Sequence, residues 1–103
     1  MITAIVYFKI PDRVTREEII SKFECTVQKW VENQDLIHKN YLIDLDRRIA
    51  GGVYLWKKKI HAEIWLGAEF RKMVKNNYVE KSTFQFFDTP IVVDNIAGNI
   101  TKE

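Results

Sequence analysis

The sequence predicts an α+β fold with the element order β-α-β-β-α-β. Three observations support this: short stretches alternate apolar and polar residues as strands do, two longer stretches repeat apolar residues at helical spacing, and turn residues separate them. A chain of 103 residues can bury one core, so we expect a single domain over residues 1–103.

The first predicted strand is residues 2–10, ITAIVYFKI, which alternate between two faces until a Pro-Asp pair ends the pattern. Ile5 and Tyr7 make the second face partly apolar, so we expect both faces of the sheet to be covered. A helix is predicted next, because Thr15 and Glu18 form a capping box. The apolar stripe of this helix consists of Ile19, Phe23, Val27, Trp30 and Val31.

Residues 36–45 and 49–56 are predicted to form a hairpin with a tight turn at Asp46-Arg47. With the turn centred there, Tyr41 faces Gly52 across the two strands. A large aromatic side chain opposite a glycine covers the bare backbone. The other predicted pairs are Lys39 with Tyr54 and Ile37 with Trp56 on the same face, and Leu42 with Gly51, Asn40 with Val53 and His38 with Leu55 on the opposite face.

A single second helix is predicted between Lys57-Lys58-Lys59 and Asn76-Asn77. Residues 82–88, STFQFFD, form the predicted fourth strand. The tail, residues 91–100, is too apolar for a solvated terminus, and we expect it to pack against another surface. The apolar stripe of the second helix consists of Ala62, Trp65, Leu66, Phe70, Met73 and Val74.

This order of elements is that of the ferredoxin-like fold, in which a four-stranded antiparallel sheet carries both helices on one face. The other face of the sheet is then bare, and an apolar bare face needs a partner. A two-fold homodimer that presses sheet on sheet is the simplest way to cover it, with the tail clasping the second copy.

Residues 35–56, DLIHKNYLIDLDRRIAGGVYLW, resemble the hairpin of the YdhR-like monooxygenases, a family of the dimeric α/β barrel superfamily. That family has two tryptophans where this chain has His38 and Tyr41, and an acidic turn where this chain has three lysines. Trp65-Leu66 and Phe87-Asp88 resemble further family positions more loosely. The matching hairpin residues are Lys39, Ala50, Gly51, Gly52, Tyr54 and Leu55, and Trp56 stands where the family has phenylalanine.

The resemblance implies a homodimeric α/β barrel of two ferredoxin-like subunits and a monooxygenase activity, that is, an oxidoreductase. Relatives in the superfamily oxygenate aromatic or polycyclic small molecules with O₂ and without a cofactor, because the deprotonated substrate reduces O₂ itself. The protein then supplies an apolar slot, a base and exclusion of water. The alternative is a non-catalytic protein that binds a small hydrophobic ligand.

The candidate site lies around Gly51 and Gly52, which remove side chains from both faces of one strand position. The gap is either a ligand pocket or a β-bulge covered by Tyr41. His38 is the candidate catalytic base because histidine titrates near neutral pH, and Tyr41 is the second candidate catalytic residue. One cavity cannot hold both His38 and Trp56, which lie on opposite faces in the predicted register. The candidate substrate-binding residues are Lys39, Tyr54, Trp56, Gly51 and Gly52 on the hairpin, and Trp30 and Trp65 on the helices.

Other function classes are disfavoured. A net charge of +2 and glycines in place of an RRM aromatic argue against nucleic-acid binding. Two isolated histidines and the single Cys25 lack the spacing of metal ligands, and His61 is expected to be exposed, so we expect no metal or other cofactor. No apolar stretch approaches the roughly 20 residues of a membrane span, and the start lacks signal-peptide features. We expect a soluble cytoplasmic protein with no membrane partner.

Overall fold

The computed structural model describes residues 1–77 and 82–103, which form one four-stranded antiparallel sheet, helices and a separate two-stranded hairpin. The elements in chain order are β1 (Ile2–Lys9), α1 (Arg16–Val31), β2 (Leu36–Asp44), β3 (Ile49–Trp56), α2 (Lys59–Trp65), α3 (Ala68–Asn77), β4 (Ser82–Asp88), β5 (Ile91–Asp94) and β6 (Asn99–Lys102). The strand order β2-β3-β1-β4 confirms the predicted α+β class and is compatible with a ferredoxin-like fold. In the described part of the chain, no helix combines the length and apolar character needed to cross a membrane.

The core lies between the helices and one face of the sheet. Alternation along β1 turns Ala4, Val6 and Phe8 toward the helices, and all three are buried there. Ile5 and Tyr7 point to the helix-free face and are half-buried. The buried helix residues that complete the core are Ile19, Phe23, Trp30, Ala62, Leu66, Phe70 and Val74.

The first helix, α1, begins with the predicted capping box. The Thr15 hydroxyl accepts a hydrogen bond from the Glu18 amide at 3.2 Å, and the Glu18 carboxylate accepts one from the Thr15 amide. Val27 and Val31, predicted within the buried stripe, are exposed, Val31 to 69%. Because this end of α1 lies beside β2, the edge strand of the sheet, these two valines line an open groove instead of the core.

The predicted second helix is two helices, α2 and α3, separated at Gly67. A Cβ atom at Gly67 would lie 2.9 Å from the carbonyl oxygen of Glu63, so glycine suits this break. Trp65, predicted within the buried stripe, is 41% exposed. The reason is that the short α2 buries only Ala62, with Leu66 buried directly after the helix, which leaves Trp65 at the surface.

The hairpin of β2 and β3 has the predicted register over residues 38–42. The prediction that Ile37 faces Trp56 is wrong, because a bulge between Leu36 and His38 pairs Leu36 with Trp56 instead. The bulge bears on the candidate site, since both Ile37 and His38 line the open groove beside α1.

The apolar tail forms the hairpin of β5 and β6, outside the main sheet. Backbone hydrogen bonds hold its base, since the Thr89 amide donates to the Met1 carbonyl at 2.9 Å and the Glu103 amide donates to the Pro90 carbonyl at 3.0 Å. Within the described residues the expected packing of the tail is not made, since most of its apolar side chains are exposed. Its exposed apolar side chains are Ile91, Val93, Ile96 and Ile100.

Gly51 generates a prediction about stability. A Cβ atom there would collide with the carbonyl of Val6 and the Cα of Tyr7, backbone atoms of β1 that cannot rotate away. We expect Gly51→Ala to lower the free energy of unfolding by about 2–3 kcal/mol, because the pairing of β1 with β3 must shift. Chemical denaturation measures this loss.

The matched control is Gly52→Ala in the same strand. Its closest obstacle is the flexible end of Lys39, at 3.0 Å from the added Cβ, so we expect a cost of about 1 kcal/mol or less. Equal losses of stability in the two variants would contradict the conclusion that only Gly51 is required for the close approach of β1 and β3.

Candidate functional site

Gly52 makes room for the side chain of Lys39. The two residues belong to neighbouring strands, and a Cβ at Gly52 would lie 3.0 Å from Lys39 Cε and 3.3 Å from the ring of Tyr54. The missing side chain thus lets the lysine stem cross the helix-covered face of β3. Neither alternative from the sequence describes this arrangement fully, because the glycine is covered by a lysine and not by Tyr41.

The Lys39 ammonium lies over the faces of three aromatic rings, which we call the aromatic cage: Trp30, Tyr41 and Tyr54. The distances from Nζ to the ring centroids are 4.6 Å, 4.0 Å and 4.4 Å, respectively. Ring faces carry negative charge density and attract a cation at such distances. The cage therefore combines residues of α1, β2 and β3 around one amine.

Burial, and to a smaller extent the nearby charge of Lys29, lower the pKa of Lys39 from 10.5 to about 7. Within the described part of the chain, no carboxylate pairs with the Lys39 ammonium. The ring faces oppose the shift, because they favour the charged form. Near neutral pH the amine consequently exists in both its neutral and its charged form.

Tyr41 is held in place by a short chain of hydrogen bonds. Its hydroxyl lies 2.6 Å from Thr26 Oγ1, and the Thr26 hydroxyl donates to the Phe23 carbonyl at 2.7 Å. Because the single proton of Thr26 is used there, Tyr41 is the donor to Thr26. Burial raises the pKa of Tyr41 above its ordinary value. Tyr41 is thus a protonated phenol whose proton is already engaged.

An open groove of about 280 Å³ lies between the second half of α1 and the bulged start of β2. A smaller cavity of about 40 Å³, large enough for a single water molecule, lies deeper between the sheet and the helices. Trp30, Lys39 and Tyr41 line both spaces, so they form the boundary between them. The remaining groove residues are Val27, Val31, Leu36, Ile37 and His38.

The candidate residues named from the sequence separate into those at the cage and those away from it. Gly51 and Gly52 both line the inner cavity beside the cage. Gly51 also allows the backbones of β1 and β3 to approach closely. Trp56 is fully buried behind the cage and stacks on Tyr54 with ring centroids 5.9 Å apart. His38 is exposed at the rim of the groove.

Trp65 belongs to a different cluster, so the expectation that it forms a wall of the slot with Trp30 is not met. Its indole Nε1 donates to Asp35 Oδ2 at 3.0 Å. His61, expected to be exposed, is half-buried, and its Nε2 lies 3.5 Å from Asp35 Oδ1. Both side chains therefore fix α2 to the loop before β2.

Sequence reasoning missed the supporting residues of the cage. Thr26 anchors Tyr41, and Phe70 packs edge-on against Trp30 and Tyr54 at 6.1 Å and 6.2 Å. The spacing on α1 offered a signal, since Phe23, Thr26 and Trp30 follow at three and four residues and so share one helix face.

Comparison with models of protein families and with curated proteins found no match for this chain. The resemblance of residues 35–56 to the YdhR-like hairpin accordingly stays a prediction. Over residues 1–77 and 82–103, no group of three or more His, Cys, Asp or Glu side chains is arranged to hold a metal ion.

Lys39 generates a prediction about stability and pH. Above about pH 7 the unfolded chain binds a proton at Lys39 that the folded chain lacks, so wild-type stability rises with pH from about 7 toward 10.5. Below pH 7 the folded protein holds a half-buried ammonium at Lys39. We expect Lys39→Met to be more stable than wild type by about 1–3 kcal/mol at about pH 6, with a smaller difference at about pH 9.

Urea denaturation at the two pH values measures both differences. The matched control is Lys72→Met, which alters an exposed lysine of α3 and should show no comparable dependence on pH. A Lys39→Met variant that is less stable than wild type at the lower pH would mean that the cage stabilises the ammonium by more than burial costs.

Proposed function

We propose that this protein binds an aromatic or polycyclic phenol or enol in the groove beside α1 and oxygenates it with O₂, without a metal or flavin. The observation that carries the proposal is Lys39, whose side chain lines the groove and whose amine lies in a cage of three aromatic rings. Flat apolar ligands favour such surroundings, because ring faces and aliphatic side chains supply contact area without polar groups that need partners.

Lys39 is the base in this proposal. With a pKa of about 7, part of the amine is neutral at neutral pH and can accept the hydroxyl proton of the substrate. The resulting ammonium pairs with the substrate anion while the ring faces of the cage favour its charge. The electron-rich anion then reduces O₂ itself, so the chain has only to bind, deprotonate and shield the substrate.

His38 and Tyr41 have supporting functions in this proposal. His38 is exposed at the groove rim, where it contacts the outer end of a bound ligand. Tyr41 supplies a wall of the groove, because its hydroxyl proton is engaged by Thr26. Lys39 is the better base because its amine lies deeper than His38, at the boundary of the groove and the inner cavity.

Binding without catalysis is the second candidate function, and the openness of the groove favours it. The inner cavity of about 40 Å³ is too small for an aromatic ring, so a ligand of that size reaches Lys39 only from the groove, in contact with water. Water competes for the substrate anion and weakens the electrostatic help that the ammonium can give.

We also propose that the protein is a homodimer. The exposed side chains of Ile91, Val93 and Ile100 support this, because the pairing of Val93 with Ile100 places all three on one face of the β5–β6 hairpin. Leu42 and Phe87 add exposed apolar surface on the helix-free face of the main sheet. A second copy that covers both surfaces removes them from water.

The homodimer is tested by sedimentation equilibrium at micromolar concentration. We expect a dimer for the wild type and a dissociation constant raised by about tenfold or more for Val93→Asp, because a charge would be buried at the contact. The matched control is Thr101→Asp, on the opposite face of the same hairpin. A monomeric wild type, or equal weakening by the two variants, would reject the proposed interface.

Oxygen uptake by the metal-free protein with anthrone- and hydroquinone-type compounds tests the oxygenation. We expect uptake above the uncatalysed rate, increasing with pH through about 7 as Lys39 loses its proton. Lys39→Met should lower the rate by about 100-fold, because the base is lost. His38→Ala and the surface control Lys72→Met should retain most of it.

Two other results have definite meanings. Full activity of Lys39→Met would reject Lys39 as the base. Saturable binding of these compounds in the groove, with no uptake above the uncatalysed rate, would favour the non-catalytic binder.

A further inference from the structure

We infer that Lys39 is also an amine nucleophile, which forms a reversible imine with an aromatic aldehyde or ketone that enters the groove beside α1. This activity uses the groove of the proposed function but does not depend on reaction with O₂. It assigns the site a second class of ligand, carbonyl compounds, and a covalent way of holding them.

The position of the amine is the first argument. Lys39 Nζ lies among the rings of the cage at 4.0–4.6 Å from their centroids, and its side chain lines the open groove. In the described part of the chain, no carboxylate pairs with it. An unpaired amine in apolar surroundings is the form of lysine that attacks carbonyl groups, because attack needs the free lone pair of the neutral amine.

The iminium product of this reaction is a cation, as the Lys39 ammonium is, and so suits the aromatic cage equally well. The neutral amine attacks the carbonyl carbon and forms a C–N bond, and the carbonyl oxygen takes up a proton. The carbinolamine then loses this oxygen as water. Both hydrogens of the water come from the amine, so the reaction needs no oxidant or reductant. The imine is protonated to an iminium cation, which the surrounding ring faces stabilise as they do an ammonium.

The lining of the groove selects the carbonyl compound. Val27, Val31 and Ile37 are aliphatic, and Trp30 and Tyr41 add ring surface. These side chains bind a flat ring by apolar contact while the carbonyl carbon reaches Nζ. We therefore expect aromatic carbonyl compounds to react better than short aliphatic ones.

Among residues 1–77 and 82–103, the titratable groups that face the amine come from α1, β2 and β3. Lys29 approaches from α1 and adds positive charge, Tyr41 faces the amine from β2 and Tyr54 from β3. The nearby residues of α3, Phe70 and Met73, do not titrate. Since burial and, to a smaller extent, the charge of Lys29 favour loss of the proton from Lys39, imine formation should proceed near neutral pH.

The test is reductive trapping at about pH 7. The protein is incubated with 2-naphthaldehyde and sodium cyanoborohydride, which reduces an iminium to a stable secondary amine, and modified sites are located by peptide mass spectrometry. We expect modification of Lys39 to exceed that of the exposed Lys72 by about tenfold, and propionaldehyde to show a smaller preference. Because this comparison is made within one wild-type chain, it does not depend on how a variant folds.

The variants complete the experiment. Lys39→Met should lose the preferred adduct, and Lys72→Met should keep it. Modification spread evenly over the exposed lysines, with Lys39 no more reactive than Lys72, would overturn the inference. Trapping at Lys39 without any oxygen uptake would support the imine and count against the oxygenase, so the two proposals fail separately.

Discussion

The candidate site depends on a missing side chain. Gly52 leaves the helix-covered face of β3 bare, and the stem of Lys39 crosses the sheet at that point with Cε 3.0 Å from where a Cβ would be. Without this gap the Lys39 side chain could not reach Trp30 on α1. Its amine would then be solvated, as the amines of most surface lysines are. The neighbouring Gly51 serves a different purpose, since it lets the backbones of β1 and β3 approach closely.

A lysine at this position is costly for the fold, which is itself informative. Burial disfavours its charge, no carboxylate in the described residues compensates it, and only the ring faces oppose the cost. A methionine would fill the same space with apolar contacts alone. Positions where a chain keeps a costly half-buried charge are candidate functional sites, because perturbed titration is what proton transfer and nucleophilic attack require.

The fold could be predicted from the sequence because its signals are local and periodic. Alternation in β1, the capping box at Thr15 and the turn after β2 each specify one element or one register. Two irregularities escaped: the bulge at Ile37 and the helix break at Gly67. A bulge adds one residue without altering the side-chain types around it, so the sequence gives no clear signal for it. An isolated glycine is tolerated within many helices, so Gly67 alone does not predict a helix break. The candidate site could be predicted only in part. Alternation along β2 placed Lys39 on the same face as Tyr41. The direction of the Lys39 side chain depends on contacts with α1, which strand pairing does not predict.

The cage is supported by the core in a way that suits an amine which gains and loses a proton. Tyr54 stacks on the fully buried Trp56, Phe70 packs edge-on against Tyr54, and Tyr41 is fixed by Thr26. When the amine becomes neutral, the attraction to the ring faces falls, and loosely held rings would close over the gap. Rings held from behind keep their positions in both protonation states. The bulky aromatic core behind β3 is thus what lets one lysine serve as a base or as a nucleophile without collapse of the groove that reaches it.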